Sequence, residues 1–436
     1  MNSSGIKRVA VQTLGCKTNQ FESAAIIEQF RKNGYEIVPF TEQAEIYLIN
    51  SCTVTARSDS ETRRLIRRAR RLNPAAKIVA TGCYAQVYPD ELAKVRELDF
   101  LLGNREKLEV IELIERGETL VSDVSEDESF PALELESFAE HTRVFLQVQN
   151  GCDSYCSYCI VPYARGKNRS ARVSDILAEA GKLSEKGYKE IVLTGIHLGA
   201  YGSDLHPVNS LSELVWEIVS KTAIPRIRVG SIDPDEIDDR LLSMMAESGR
   251  ICRHLHIPVQ SGSSTVLQRM KRGYDQESIK KLLERISKLL PDAFIGADFI
   301  AGFPGETAQE FQDTVTFVKD IPFSDIHVFP YSKRPKTKAA EMPGQLASSV
   351  ITERAGILRE LAAAKKKKFL DRFEGKILKV LTQGYDQKTG ICRGLSRNFI
   401  NVMFQGKIEF LNQELEVRVN SSDGSVLKGS IAKRCE

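Results

Sequence analysis

The feature that most restricts what this chain can fold into is a hydrophobic pattern that keeps switching period. Short β-branched runs give way to amphipathic stretches, and then the pair recurs. Near the start, the strand-like runs are Val9–Leu14, Ile46–Ile49 and Lys77–Ala80, followed by helical stretches such as Glu22–Lys32 and Glu61–Leu72. Such alternation predicts βαβ units on an open parallel sheet, because a crossover helix returns the chain to the same end of the sheet. From Arg143 the pattern resumes with RVFLQVQN, EIVLTG, RIRVGS, HLHIPVQ, AFIGADFIAG and DIHVFPY, with helical segments such as Val173–Lys186 and Leu211–Lys221 between them. Six consecutive βα units predict an open, TIM-like partial (βα)6 barrel whose chemistry sits at the carboxyl ends of its strands.

Two breaks divide this α/β multidomain chain. The segment SDVSEDESFPALELESFAE is acidic, aperiodic and interrupted by proline. It predicts a linker over 119–137, separating an α/β domain at 5–118 from the barrel domain at 138–368. A helix rich in Ala and Lys, roughly Thr352–Phe373, then precedes the short alternating runs KILKVLTQG, NFINVMF, KIEFLNQELEVRV and SVLKGSIAKR. Those runs predict a small all-β barrel or sandwich over 371–436. No stretch approaches the ~18 apolar residues of a membrane span. The opening MNSSGIKRVAVQTLGC also lacks the apolar core of a signal peptide, so the expectation is a soluble cytoplasmic protein. With Lys+Arg 61 against Asp+Glu 58, the net charge of +3 is too even to name a partner.

Nine cysteines, an odd number, are more telling. In a chain of cytosolic character they point to metal ligands or nucleophiles rather than disulfides. Cys152, Cys156 and Cys159 form a C-x3-C-x2-C loop directly after the first barrel strand. Three thiolates in a short loop can grip three irons of a 4Fe–4S cluster, for which four cysteines are usual. The iron left without a protein ligand would then bind a substrate. The alternative, a structural zinc, calls for a fourth ligand at a C-x2-4-C or H-x3-5-H spacing, and none follows. Cys16, Cys52 and Cys83 lie 36 and 31 residues apart, yet AVQTLGC, YLINSC and IVATGC each end a strand-like run. Carboxyl ends of neighbouring parallel strands converge on one crevice, so these three thiols can meet at one centre. A single cysteine there reads as ordinary burial, whereas three of three favour ligands.

The C-x3-C-x2-C spacing, the aromatic Tyr158 before its last cysteine and the partial barrel resemble the radical S-adenosylmethionine (SAM) superfamily. In that family the open iron chelates SAM, and an electron cleaves it to a 5′-deoxyadenosyl radical that abstracts a hydrogen. LTGIHLGAYG, Leu193–Gly202, resembles the family's contact to the methionine amino group, and Ile300–Glu306 in ADFIAGFPGET its adenine-lining strand end. The resemblance implies cofactor contacts at Tyr158, Thr194, Gly195, His197, Ser231 and Gly302. One of Asp233, Asp235 and Glu236 would bind the ribose, although helix N-capping explains them equally.

Taken with Cys16, Cys52 and Cys83, the chain resembles the methylthiotransferases nearly throughout, its C-terminal segment being similar to their RNA-binding TRAM module. This implies two 4Fe–4S clusters on the six cysteines, SAM, an external electron donor and a sulfur donor, with no catalytic residue beyond the cluster ligands. Sulfur would enter an unreactive carbon, and a second SAM would supply the methyl group.

TLGCKTNQFES, NSCTVT, SETRRLIRRARRLNP and the histidine of LTGIHLGAYG are similar to the branch acting on tRNA beside the anticodon, at C2 of N6-threonylcarbamoyladenosine. The alternatives are the same chemistry on N6-isopentenyladenosine or on a ribosomal-protein aspartate, or a non-catalytic RNA-binding iron–sulfur sensor. Arg63, Arg64, Arg67, Arg68, Arg70 and Arg71 crowd one helix, where Arg64, Arg67, Arg68 and Arg71 share a face. With Arg165, Arg169 and Arg172 after the cluster loop, they are the candidate contacts to an anionic substrate, and Lys365–Lys368 is a further basic run. Cys252 and Trp216 are expected in the core, His197 in a supporting hydrogen bond, and His254 and His256 in the barrel interior or in packing; Cys392 and Cys435 carry no assignment.

Overall fold

The computed structural model describes residues 6–127, 129–130 and 142–434. Residues 128 and 131–137 of the expected linker, and Cys435, lie outside them. The chain forms two compact units: residues 1–139, 149–170 and 332–340 make one, and residues 140–148, 171–331 and 341–436 the other.

The first unit is a parallel sheet of β1 (Arg8–Thr13), β2 (Glu36–Ile37), β3 (Ile46–Ser51), β4 (Lys77–Gly82) and β5 (Phe100–Leu101), in the order β2-β1-β3-β4-β5. All six residues of β3 are buried, as expected for a central parallel strand covered on both faces. The helix Lys17–Lys32 contributes Ile26 and Phe30 to one face, beside Val9, Leu48 and Val79. The helix Ala56–Leu72 contributes Leu65, Ile66 and Ala69 to the other, where Ile49, Ile78 and Tyr84 lie. Ile160 and Ala164, which follow the second cysteine triplet, belong to that same core. Apolar side chains just after Cys159 thus place residues 149–170 in the N-terminal unit.

In the second unit the six expected barrel strands run Arg143–Gln147, Glu190–Thr194, Arg226–Val229, His254–Gln260, Phe294–Ala301 and Asp325–Pro330. All neighbours are parallel and follow chain order, the third and fourth meeting through the bridges Ile227–Ile251 and Ser231–His256. The C-terminal strands Ile377–Asp386, Ile391–Ser396, Asn401–Gln405, Glu414–Ser422 and Leu427–Arg434 close into a five-stranded barrel around Val380, Val402, Phe404 and Val417. Buried charge fastens that barrel to the same unit. Arg226 and Arg228, both fully buried, grip Glu190 at 2.7 and 2.8 Å and donate to the carbonyls of Leu395 and Ser396. Burial alone would raise the Glu190 pKa, but Arg228, Arg226 and Arg143 hold it well below the carboxylate range.

Candidate metal centres

The ladder aligns Thr13 with Asn50 and Asn50 with Thr81, so Cys16, Cys52 and Cys83 follow the carboxyl ends of three adjacent strands. Cys52 and Cys83 are 7% exposed, while Cys16 is open. Burial, then the neighbouring Cys83 and Cys16 thiols, push the Cys52 thiol up to about 12. The three sulfurs thus lie close enough to oppose one another's ionisation, and metal binding requires that they lose their protons. Gly15, at φ +98°, makes room for them: a Cβ there would stand 2.8 Å from Cys52 Cβ and 2.9 Å from its Sγ.

Beneath the thiols lies a polar floor. Asn19 Nδ2 donates to the carbonyls of Leu14 (2.8 Å) and Ser51 (3.0 Å), tying two cysteine loops together. Asn50 Nδ2 donates to Asn19 O and Ser23 Oγ, both at 3.0 Å. Arg165 donates to Asn19 Oδ1 at 2.5 Å and Glu22 Oε1 at 2.6 Å, while Lys107 reaches Glu22 Oε2 at 2.5 Å. Arg165, Glu22 and Lys107 are all at most 3% exposed. Burial alone would raise the Glu22 pKa, but Arg165 and Lys107 hold it at about 2. Two cations against one carboxylate leave a net positive charge within electrostatic reach of Cys83 and Cys16. Three converging thiols with a compensating cation behind them fit an anionic thiolate-bound cluster. Asn19, Glu22 and Lys107 were not anticipated from sequence; their only signal was Asn19 and Glu22 at i+3 and i+6 from Cys16, on one face of a helix.

Cys152, Cys156 and Cys159 lie in a braced loop of the same unit. Cys152 N donates to Gly166 O and Cys159 N to Cys156 O, both at 3.0 Å, and Ala339 N donates to Ser157 O at 2.7 Å. Gly151, at φ +74°, passes so near Lys167 that a Cβ would meet its carbonyl oxygen at 1.6 Å. Cys156 is buried, and Cys152, Cys159 and Tyr158 are half-buried.

Within the second unit, Thr194 ends the second barrel strand at 3% exposure, followed by the half-buried Gly195 and His197. His197 Nε2 lies 2.6 Å from Glu236 and 3.7 Å from Asp233, and Arg272, not anticipated, pairs with Asp233 at 2.5 Å. The N-capping explanation for these acids gives way to this pairing, because Asp238 caps the following helix. Ser231 is exposed beside its bridge to His256. Gly302, at φ +79°, donates to Glu306 Oε2 at 3.1 Å, and Arg354 holds Glu306 at 2.5 Å.

The basic residues separate sharply. Arg64 and Arg67 are exposed and Arg68 is half-buried, with Arg64 also paired to Glu61. A cleft of about 400 Å³ is lined by Arg63, Arg67, Lys94 and Arg96 with Glu91 and Glu97. Arg70 instead binds carbonyls and Asp99. Arg172 is exposed. Arg165 and Arg169 do not face a substrate as open cations: Arg165 is buried on Glu22, and Arg169 pairs with Asp127 at 2.9 Å. Lys365, Lys366 and Lys367 are likewise engaged, by carbonyls, Asp325 and Asp371. Trp216 is 45% exposed rather than core, because its helix buries Leu211, Leu214, Val215 and Ile218. Cys252 is buried, as expected.

Comparison with known proteins agrees with this geometry. The family model described as "Uncharacterized protein family UPF0004" matches residues 8–103, and that of the Radical SAM superfamily matches residues 146–318. The radical SAM methyltransferase TsrM from Kitasatospora setae shares the fold at a TM-score of 0.55, with 15% identity and 77% of each chain covered. Partial barrel, C-x3-C-x2-C loop and N-terminal three-cysteine sheet together define a radical SAM protein with two separate cysteine triplets. The chain is 38% identical over 421 residues to threonylcarbamoyladenosine tRNA methylthiotransferase MtaB of Bacillus subtilis, covering 94% of this chain and 93% of that one. The Aquifex aeolicus protein of the same name is 38% identical over 405 residues, covering 92% and 97%. A tRNA-2-methylthio-N(6)-dimethylallyladenosine synthase of Fusobacterium nucleatum is 32% identical over 436 residues, covering 98% and 100%. The chain belongs to the radical SAM methylthiotransferase family, in its MtaB branch.

Proposed function

We propose that this chain is a tRNA methylthiotransferase that adds a methylthio group at C2 of N6-threonylcarbamoyladenosine next to the anticodon. The observation that carries this reading is the convergence of Cys16, Cys52 and Cys83 on three adjacent strand ends, in a chain that also holds the C-x3-C-x2-C loop. The substrate follows the near-full-length relatives named for threonylcarbamoyladenosine, at 38% identity against 32% for the dimethylallyladenosine synthase.

The two cysteine triplets are assigned one 4Fe–4S cluster each, which supply the electron for SAM cleavage and the sulfur-handling iron. Asn19, Arg165 and Lys107 hold the first site and offset its negative charge. Thr194, Gly195, His197, Ser231 and Gly302 are assigned to SAM on the barrel, with His197 oriented by Glu236. Tyr158 is assigned to the cofactor beside Cys159. Arg64, Arg67, Arg68 and Arg172 are assigned to RNA phosphates, since clustered exposed cations release counterions on binding. An external electron donor and a sulfur donor complete the cycle. Among the described residues no helix is long and apolar enough to cross a membrane.

The test is mass spectrometry of tRNA nucleosides from host cells with and without the gene. Loss of the methylthio-threonylcarbamoyl nucleoside with accumulation of its precursor supports the reading. Loss of the methylthio-isopentenyl nucleoside instead would move the enzyme to the other tRNA branch, and an unchanged profile would refute a tRNA substrate.

A further inference from the structure

The inner wall of the (βα)6 barrel carries a second set of metal-type donors that contains no cysteine. His256, Asp298 and His327 sit on the fourth, fifth and sixth strands, where Asp298 and His327 are ladder partners and His256 opposes Gly296. Their direction follows from strand alternation. Phe299 packs on Phe323, which also meets Phe317 of the helix Ala308–Asp320, so Asp298 points to the opposite, barrel side. Gly296 leaves the space that the His256 ring occupies, since a Cβ there would stand 3.1 Å from its Nδ1.

His256 Nε2 lies 3.0 Å, and His327 Nδ1 3.3 Å, from the same oxygen, Asp298 Oδ1. All three donor atoms lie within 4.8 Å of one another. Ligands bound at 2.0–2.1 Å around a tetrahedral ion stand about 3.3 Å apart, the spacing of His327 Nδ1 from the carboxylate and 0.3 Å more than that of His256 Nε2. Asp298 Oδ1 is also buried, facing both ring nitrogens at once. A buried carboxylate oxygen flanked by two ring nitrogens on three adjacent strands is a donor set that a cation can take over.

We propose that His256, Asp298 and His327 form a binding site for a first-row divalent transition metal, separate from the six cysteines. Two imidazoles and one carboxylate suit Zn²⁺ or Fe²⁺ rather than Mg²⁺ or Ca²⁺, which prefer all-oxygen shells. Three protein ligands on three adjacent strands leave coordination positions open, as catalytic and ligand-exchanging sites require and closed structural zinc sites do not. The His327 side chain is 59% exposed against 14% for His256, so the ion enters from the His327 side. The proposal does not depend on the tRNA assignment.

The experiment uses the anaerobically reconstituted protein with both clusters in place, dialysed against micromolar Zn²⁺ and analysed for zinc and iron per chain. One zinc beyond the cluster iron is expected, with an X-ray absorption shell of N/O atoms at about 2.0–2.1 Å and no sulfur at about 2.3 Å. His327→Ala, an exposed change that spares the core, is expected to weaken zinc binding at least ten-fold at unchanged iron content. Asp298→Asn is expected to do the same, while His206→Ala retains the metal. No zinc uptake, a sulfur shell, or full zinc content in both His327→Ala and Asp298→Asn would each overturn the assignment.

Discussion

Arg165→Met tests whether the buried charges beneath the first cysteine triplet hold that site. The substitution keeps most of the side-chain volume and removes hydrogen bonds to Asn19, Glu22 and Asn150. Glu22 then retains Lys107 alone, inside a unit where neither group is more than 3% exposed. Breaking a buried pair from one side costs about 3–5 kcal/mol. The Glu22 carboxyl, held at about 2 by Arg165 and Lys107 together against a burial that would raise it, points in the same direction. In a unit of this size a loss of about 3–5 kcal/mol lowers the unfolding midpoint by about 6–20 °C, measured anaerobically by circular dichroism at neutral pH. Glu22→Gln is expected to be at least as damaging, because it leaves two buried cations and no anion. A Glu22 pKa held low in the fold means that this stabilisation is complete above about pH 4.5 and is lost as pH falls towards 2. The acid-induced loss of stability is accordingly smaller in Arg165→Met than in the parent. A midpoint within about 2 °C of the parent, or Glu22→Gln milder than Arg165→Met, would refute the reasoning.

Cys156→Ala should abolish formation of 5′-deoxyadenosine from SAM, whereas Cys52→Ala should keep it and lose only methylthiolation of tRNA; equal loss of both steps would make the first site merely structural. In Gly15→Ala the new Cβ is strained by φ +98° and presses on Cys52, so iron content should fall by about half, for one of two equal clusters, while SAM cleavage persists. Arg64→Glu combined with Arg67→Glu should weaken tRNA binding about ten-fold or more at low salt and flatten its salt dependence by about one to two units of slope. Unchanged affinity would assign that helix face to solvent.

The strand–helix order and the cysteine positions were legible because both rest on local pattern. β3, for example, opens on the apolar run Ile46–Ile49 and is buried along its whole length, and each of Cys16, Cys52 and Cys83 follows a strand of this kind. What could not be read was pairing across distance. Arg165 and Arg169 sit in a basic stretch that reads as a substrate-facing patch, yet their partners Glu22 and Asp127 lie 143 and 42 residues away in sequence. A charge on a loop reads the same whether solvent, a ligand or a distant carboxylate faces it. Trp216 shows the converse limit, because the stripe its helix buries is narrow and a large apolar residue one position off it stays half outside.

The unit division carries a chemical consequence. The C-x3-C-x2-C loop follows the first barrel strand in sequence, yet its packing partners are those of the N-terminal sheet: Ile160 and Ala164 in the core, Asn104 donating to the Ala164 carbonyl at 2.6 Å, and Arg165 on Asn19 and Glu22. The residues 332–340 join the same unit, where Arg334 binds Asp59 and Thr53 at 2.6 and 2.7 Å, immediately after Cys52. Both cysteine triplets are thus anchored in a single packed body. Were both triplets to hold clusters, the proposed sulfur insertion would need the two sites kept at a fixed separation, because effective concentration falls steeply once the partners are free to drift. Close-packed interiors resist small displacements, and the buried ions add contacts that a shift of the loop would break. Arg165 is the residue in which these requirements meet, since one guanidinium fixes the second cysteine loop to the first and supplies positive charge beneath the first site's thiols.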